Sequence, residues 1–175
     1  MSGRELRATL PIALLALFVA ATCADESTPT PPDERPGGSL SGSVVRDGIE
    51  YRADVLVMES FPVQLSGRAT IRNTSGDSRT ITFPDGCVAL MRAYRVEGGG
   101  PVWDQAGDLA CTMALVPVEL GTGEEREIPT PTASAYEILG SELPDGDYRI
   151  AVYLRPVGGA EVEIEAGTTE LAIPR

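Results

Sequence analysis

Short apolar runs alternate with turn-forming residues along the chain from residue 44 onward. Within several of these runs, including 148–154, apolar side chains occupy every second position. A period of two is typical of a β-strand that has one face in a hydrophobic core. Dipeptides such as Asp47-Gly48, which suits a type I′ hairpin turn, separate the runs. The pattern therefore predicts an all-β domain.

About seven to nine short strands can be placed in this way, and no long amphipathic helix is predicted. This indicates an immunoglobulin-like antiparallel β-sandwich over residues 44–175. The run 88–96 is apolar on both faces except at Arg92, which is typical of a central strand. Tyr148 follows the turn 145–147, either as a tyrosine corner whose hydroxyl bonds to upstream backbone or as an ordinary core tyrosine.

The first 22 residues have the layout of a secretory signal peptide. Two arginines precede a short apolar segment, 10–21, which falls short of the roughly 20 residues that span a membrane. Cys23 follows, where bacterial lipoproteins carry their lipidated cysteine, although Ala20 and Thr22 depart from the usual lipobox. We therefore expect export and a lipid anchor on Cys23. The alternative is ordinary cleavage after residue 21 or 24, which would leave a soluble secreted or periplasmic protein.

The segment 23–43 is rich in proline, serine, threonine, glycine and acidic residues. Such a composition buries little apolar surface, so it predicts a disordered linker that lets the domain stand away from a membrane. Two or more acyl chains on Cys23 would hold the protein stably at that membrane. The expected location is the cell envelope.

Cys87 and Cys111 are the other two cysteines of the chain. If Cys23 carries lipid, they remain as an even pair, and an exported chain meets an oxidising compartment. We therefore predict a disulfide between them, which would stabilise the domain by about 3 kcal/mol. It would close a loop around a glycine-rich segment and the single tryptophan.

The chain carries 26 Asp and Glu residues against 14 arginines, and it contains no lysine and no histidine. Such a negative protein repels nucleic-acid phosphates, so no nucleic-acid partner is expected. Without histidine or lysine, the usual triads and dyads of nucleophilic catalysis cannot be assembled. The sequence therefore predicts no catalytic residue, no cofactor and no small-molecule substrate.

Carboxylates are the remaining candidates for chemistry. Asp104, Asp108, Glu124 and Glu125 fall on predicted loops, and Trp103 is the single tryptophan that could support a sugar there. Calcium takes oxygen ligands, but the spacing of Asp104 and Asp108 does not match an EF-hand loop. Zinc is disfavoured because histidine is absent and the cysteines are paired. We expect a solvated acidic surface and no metal site.

The candidate partner surface lies inside the predicted disulfide loop. It comprises Gly98, Gly99, Gly100, Pro101, Val102, Trp103 and Asp104. A disulfide that fixes the shape of this segment would reduce the entropy lost on binding. Trp103 is either an anchor for a partner or part of the core.

Several features follow one another in a distinctive order over residues 65–156. The first three are a strand that ends in asparagine (65–73), an Ile-Thr-Phe strand (81–83) and a long strand that leads into three glycines (86–97). The last three are the glycines with a Val-Trp pair (98–103), a glycine–glutamate turn (120–124) and an Asp-Gly-Asp-Tyr corner (145–148). This order resembles the BsuPI-type proteinase-inhibitor domain, an immunoglobulin-like sandwich of bacterial proteins. The chain departs from that family in its cysteine pair and in lacking a tryptophan within 129–136.

The resemblance implies a non-catalytic binding module that acts on a proteinase. The alternative is a structural or adhesive envelope domain that binds another envelope protein or a glycan. An enzyme is a third hypothesis, which the missing histidine and lysine disfavour.

Overall fold

The computed structural model describes residues 36–173. Its regular structure in this part is eleven strands in antiparallel sheets, one short helix and a 3-10 turn at Gln105–Gly107. In chain order the strands and helix are β1 (Pro36–Arg46), β2 (Ile49–Met58), β3 (Gln64–Asn73), β4 (Arg79–Phe83), β5 (Ala89–Arg95), β6 (Pro101–Asp104), β7 (Val116–Leu120), β8 (Glu125–Pro129), β9 (Ala133–Ser134), α1 (Ala135–Leu139), β10 (Gly146–Leu154) and β11 (Val162–Leu171). The all-β prediction is confirmed. The strand count exceeds the expected range because short strands such as β6 and β9 carry no alternating pattern of their own.

The strands form two larger sheets and a separate ribbon of β4 and β7. One sheet has the order β1-β2-β3-β8, with β9 also paired to β3, and the other has the order β11-β10-β5-β6. In immunoglobulin nomenclature, β2, β3 and β8 correspond to strands A, B and E. The other sheet then corresponds to strands G, F, C and C′. The antiparallel immunoglobulin-like sandwich predicted from the sequence is therefore confirmed.

The core lies between the inner faces of these two sheets. Alternate residues of β2 and β3 point inward and share one hydrophobic cluster with residues of β5, β10 and β11. Inward residues that are at most 5% exposed include Tyr51, Val55, Leu65, Ala69, Ile71, Met91, Ala93, Ile150, Val152 and Ile164. The period of two in the sequence thus corresponds to burial on one face of each strand.

The prediction of a disordered linker over 23–43 is wrong for residues 36–43, which form the first part of β1. These residues pair with β2 in antiparallel register. Leu40 and Val44 pack against the core, and a Cβ atom at Gly42 would collide with the backbone carbonyl of Glu165. The composition of residues 36–43 suggested disorder because the residues around Leu40 and Val44 are mostly glycine and serine. Pairing with β2 and close packing on β11 supply the order that composition does not.

Two local predictions are confirmed at the ends of strands. Asp47 and Gly48 have positive φ angles of 51° and 75°, as a type I′ turn between β1 and β2 requires. The Tyr148 hydroxyl donates a hydrogen bond to the Pro144 carbonyl oxygen at 2.6 Å. Tyr148 therefore forms a tyrosine corner at the start of β10.

The predicted signal peptide at 1–22, Cys23 and the linker residues up to 35 lie outside the described residues. Across 36–173, none of the helical segments is long and apolar enough to cross a membrane. The membrane anchor expected at Cys23 stays a prediction, because Cys23 is not among the described residues.

Candidate binding surface

A disulfide clamps together the two segments that flank β5 and β6. Cys87 and Cys111 are bonded, with Cα atoms 5.5 Å apart and a sequence separation of 24. Beside the bond, the Gly86 N–H donates to the Thr112 carbonyl oxygen at 3.1 Å. On the other side, the Cys87 N–H donates to Asp85 Oδ1 at 2.8 Å. The pairing expected from the sequence is therefore present, and a backbone hydrogen bond reinforces it.

The glycine-rich part of the sequence-predicted partner surface forms the turn between β5 and β6. Gly98 and Gly99 have positive φ angles of 104° and 102°, a conformation that favours glycine. Gly100 and Pro101 are also exposed. The turn offers a partner little besides backbone and one proline ring, so it has few groups that could give affinity.

Trp103 faces the core, which agrees with its interpretation as a core residue and not with that of an anchor for a partner. It lies opposite the fully buried Ala93 of β5, and both Val102 and Trp103 pack against the hydrophobic core. The indole Nε1 donates to Asp108 Oδ2 at 3.1 Å. Half-buried and bonded in this way, Trp103 is poorly placed to insert into a partner.

Asp104, the last residue of the predicted surface, belongs to a polar network around Arg92 on the outer face of the second sheet. The Arg92 guanidinium forms an ion pair with Asp104 at 2.8 Å and further pairs with Glu161 and Glu163 beside and on β11. Its central carbon lies 3.7 Å from the centroid of the Tyr153 ring. The Arg92 side chain is 14% exposed, so this cation is largely enclosed by its partners.

Two tyrosine hydroxyls complete the network. Tyr153 donates to Asp104 Oδ1 and Tyr94 donates to Glu163 Oε2, both at 2.6 Å. Burial together with the hydrogen bond to Glu163 raises the pKa of Tyr94 to about 12, and burial together with the bond to Asp104 raises the pKa of Tyr153. Both hydroxyls therefore remain protonated donors at neutral pH.

Arg92 and Asp104 are held in their ionised forms. Burial alone would raise the pKa of Asp104, but hydrogen bonds from Tyr153 and Arg92 lower it below its ordinary value. Burial alone would lower the pKa of Arg92, but hydrogen bonds to its carboxylate partners raise it. Arg92, Asp104 and Tyr153 are thus bound to one another. The hydrogen-bonding groups of these three side chains are therefore largely satisfied within the domain.

The loop of residues 112–115, between the disulfide and β7, has the opposite character. Met113 is 97% exposed and Leu115 is 66% exposed, although both are large and apolar. One end of the loop is held by the disulfide and its neighbouring backbone hydrogen bond, and the other end by β7, which pairs with β4. Within residues 36–173, the backbone N–H and C=O groups of Met113, Ala114 and Leu115 make no hydrogen bond. The 112–115 loop therefore presents both apolar side chains and free backbone groups.

An apolar groove continues from this loop. In the described part of the chain, β7 pairs only with β4 and β8 pairs only with β3, so the two strands do not join. A groove of about 450 Å³ lies between them. It is lined by Val88, Val116, Pro117, Val118, Ile128 and Pro129 together with Glu119, Arg126 and Glu127. Since Leu115 directly precedes Val116, the loop and the groove are adjoining parts of one surface.

Potential metal ligands come together at one place among the described residues, where Asp85, Cys87 and Cys111 meet. Both sulfur atoms belong to the disulfide, and the carboxylate accepts the Cys87 N–H. Metal ligation by cysteine requires a thiolate, which a disulfide does not supply. Asp104 and Asp108, the calcium candidates from the sequence, are each bonded to other side chains.

No protein-family model matches the chain, and no curated protein matches it. Sequence reasoning missed both the Arg92 network and the 112–115 loop. The available signals were a lone arginine within an apolar strand and the Met-Ala-Leu run soon after a cysteine.

Proposed function

We propose that this chain is an exported, non-catalytic binding module, held at a membrane by lipid on Cys23, and that it binds a proteinase. The 112–115 loop is the observation that carries the proposal. Met113 and Leu115 hold apolar side chains in solvent, while most large apolar residues of the described chain lie in the core. An exposed apolar surface on a soluble domain is typical of a protein-interaction site.

The attachment of this loop at both ends favours binding. It is fixed at both ends, so little conformational freedom remains to be lost when a partner orders it. Its unpaired backbone groups can form hydrogen bonds with an extended segment or strand edge of a partner. A proteinase active-site cleft binds peptide segments in this way, which agrees with the family resemblance of the sequence.

A non-catalytic role agrees with the chemistry of the chain. Histidine and lysine are absent from the sequence, which removes the most common general bases. Arg92, Asp104 and Tyr153 are engaged with one another instead of facing a substrate pocket. The long segment after Cys23 would let such a module reach a partner while it stays attached to the membrane.

The test is an inhibition assay with the full-length chain, extracted in detergent from the membranes of cells that export it. The chain is added to a panel of subtilisin-like, trypsin-like and elastase-like bacterial serine proteinases, and substrate cleavage is followed over time. We expect slowed cleavage by at least one proteinase, with saturation as the concentration of the chain rises. Unchanged rates across the panel would reject the proposal.

A second candidate is an envelope domain that binds another envelope protein without inhibiting it. The open groove between β7 and β8 favours this candidate, because an apolar groove beside an unpaired strand edge can accept an extended segment. A glycan is a weaker choice of ligand, since Trp103 packs against the core. Recovery of one envelope protein that is not a proteinase, by affinity capture from membranes, would favour this candidate.

A further inference from the structure

We infer that a groove beside the turn between β1 and β2 binds a small amphipathic carboxylate, that is, one carboxylate group attached to an apolar chain. This inference goes beyond the proposed function and does not rest on it. The groove has a volume of about 430 Å³, which lies within the range of small-molecule sites. Its walls are the β1–β2 turn, strand β4 and the loop between β10 and β11.

A buried tyrosine hydroxyl lies at this groove without a hydrogen bond. Tyr51 is 5% exposed and lines the groove, yet its hydroxyl bonds to no other residue of the described chain. The fully enclosed side-chain polar atoms without a partner in this part of the chain are Thr70 Oγ1 and Arg149 Nε, so the Tyr51 hydroxyl retains access to the groove. Burial raises the pKa of Tyr51, so the hydroxyl remains a donor at neutral pH. A ligand that accepts its hydrogen would satisfy a group that the domain leaves unpaired.

The charges at the groove favour a ligand with one negative charge. Arg46 and Arg79 line the groove, and neither forms an ion pair within residues 36–173, although the chain carries a net charge of −12. In the same residues, the Arg46 guanidinium donates only to the Glu161 carbonyl oxygen at 2.7 Å, and that of Arg79 only to Ser75 Oγ at 3.3 Å. Their other N–H groups are available to an anion. Asp47 also lines the groove, so its charges suit a carboxylate better than a phosphate monoester, which carries nearly two negative charges.

The remaining wall of the groove suits an apolar chain. Ile81 and Pro156 are partly buried there, and Val157 is 56% exposed. The Val157 N–H donates to the Thr82 carbonyl oxygen at 2.7 Å, which holds the β10–β11 loop against β4. The apolar wall is therefore fixed beside the charged groups. An apolar chain on this wall would remove the exposed surface of Val157 from water.

The experiment titrates the isotope-labelled full-length chain, in detergent micelles, with hexanoate and follows the backbone amide signals by NMR. Hexylammonium is the comparison probe, because it has the same apolar chain and the opposite charge. The variants Tyr51→Phe and Arg79→Gln alter the groove. Arg95→Gln is the matched control, because Arg95 is exposed and lies opposite Tyr148, at the other end of β10 from the groove. Detergent takes up each probe equally in every preparation, so differences between variants report the protein.

We expect hexanoate to shift the amide signals of Asp47, Thr82 and Gly159, which line the groove, and to reach saturation. Hexylammonium should not produce these shifts. The Phe61 amide should not respond to either probe. Phe61 is 82% exposed on the loop between β2 and β3, so it reports nonspecific contact with apolar side chains.

Tyr51→Phe and Arg79→Gln should each weaken hexanoate binding by about 10-fold, since each removes a hydrogen-bond donor to a charged group. Arg95→Gln should bind hexanoate as the unmodified chain does. The amide spectra also show whether each variant is folded, and Tyr51→Phe should fold normally because the hydroxyl it removes has no partner in the domain. The inference is wrong if hexanoate gives no saturable shifts, if hexylammonium or Phe61 gives the same response, or if the two groove variants bind no more weakly than Arg95→Gln.

Discussion

The Arg92 network and the 112–115 loop differ in which side chains they expose to water. Around Arg92, charged and polar groups that could remain in solvent are drawn together, and the Arg92 side chain is left only 14% exposed. In the 112–115 loop, a large apolar side chain that could be buried is 97% exposed. Each arrangement departs from the usual partition of residues between core and surface.

We assign stability to the Arg92 network and, under the proposed function, binding to the 112–115 loop. The ionic groups around Arg92 form ion pairs and hydrogen bonds with one another. These interactions are made within the domain, so they are not available to a partner. The apolar surface of Met113 remains in contact with water, so its favourable transfer out of water is still available to a partner. Substitutions in the two regions should therefore have separate effects on unfolding and on inhibition.

Removal of the disulfide should have the largest effect, because the disulfide restricts the unfolded chain and also ties one end of the 112–115 loop. Replacing Cys87 and Cys111 together by serine should lower the free energy of unfolding by about 3 kcal/mol, since the unfolded chain gains the freedom of an open loop. It should also make the 112–115 loop easier for an added proteinase to cut, because one end of the loop would no longer be tied. Urea unfolding measures the first effect, and mass spectrometry after incubation with proteinase measures the second. An intact loop in the double variant would contradict the role given to the disulfide.

Arg92→Ala should lower the free energy of unfolding by about 2 kcal/mol, between the values for exposed and fully buried ion pairs. The reason is that Asp104, Glu161 and Glu163 would repel one another without the cation. Inhibition by the folded variant should be unchanged. The control is Arg68→Ala, which removes a single ion pair, with Glu127, in which both side chains are 53% exposed. Equal destabilisation by the two variants would show that the Arg92 network has no special role.

Asp104→Asn should have a smaller effect at neutral pH, about 1 kcal/mol, and should change the response to acid. The pKa of Asp104 is lowered in the folded protein, so its contribution is present above the unfolded pKa of about 3.9 and is lost as pH falls through the folded value. The variant should therefore lose less stability on acidification than the unmodified protein.

Urea midpoints between about pH 2 and pH 6 test this expectation. Glu119→Gln removes the same charge from a residue that is exposed and makes no ion pair within the described residues, so it is the matched control. If Asp104→Asn and Glu119→Gln change the acid response by the same amount, the assignment to Asp104 is wrong.

Met113→Glu should have the smallest effect on stability, within about 0.5 kcal/mol, because an exposed side chain makes few contacts in the folded state. The same variant should show the largest loss of inhibition. Unfolding and inhibition measured on one preparation provide the test. A clear destabilisation would mean that Met113 packs within the domain and that the contrast between the two regions is false.

Much of the fold was predictable because local patterns and tertiary packing agree. Alternation predicted the strands on both sides of the core, and Asp47-Gly48 and Tyr148 predicted their own local geometry. Residues 36–43 were not predictable as strand, because small polar residues have little strand preference without β2 beside them.

The candidate surface was less predictable, because it depends on register and exposure. The register of β10 and β11 brings Glu163 opposite Tyr153, although Glu163 is 71 residues from Arg92 in the sequence. Residues that are so far apart in the sequence leave no local pattern from which their contact could be predicted. The Met-Ala-Leu run marks Met113 as part of an apolar segment but does not show that it is exposed, since Phe83 and Leu120 at the ends of β4 and β7 are also apolar and are buried.

The most direct test of the account is site-specific photo-crosslinking in intact cell envelopes. A photoreactive amino acid is placed at position 113 of the full-length chain, and at position 61 in a matched preparation. We expect a crosslink from position 113 to one serine proteinase, with the modified peptide lining its substrate cleft, and no such adduct from position 61. No adduct from position 113, the same adducts from both positions, or an adduct outside any proteinase cleft would contradict the account.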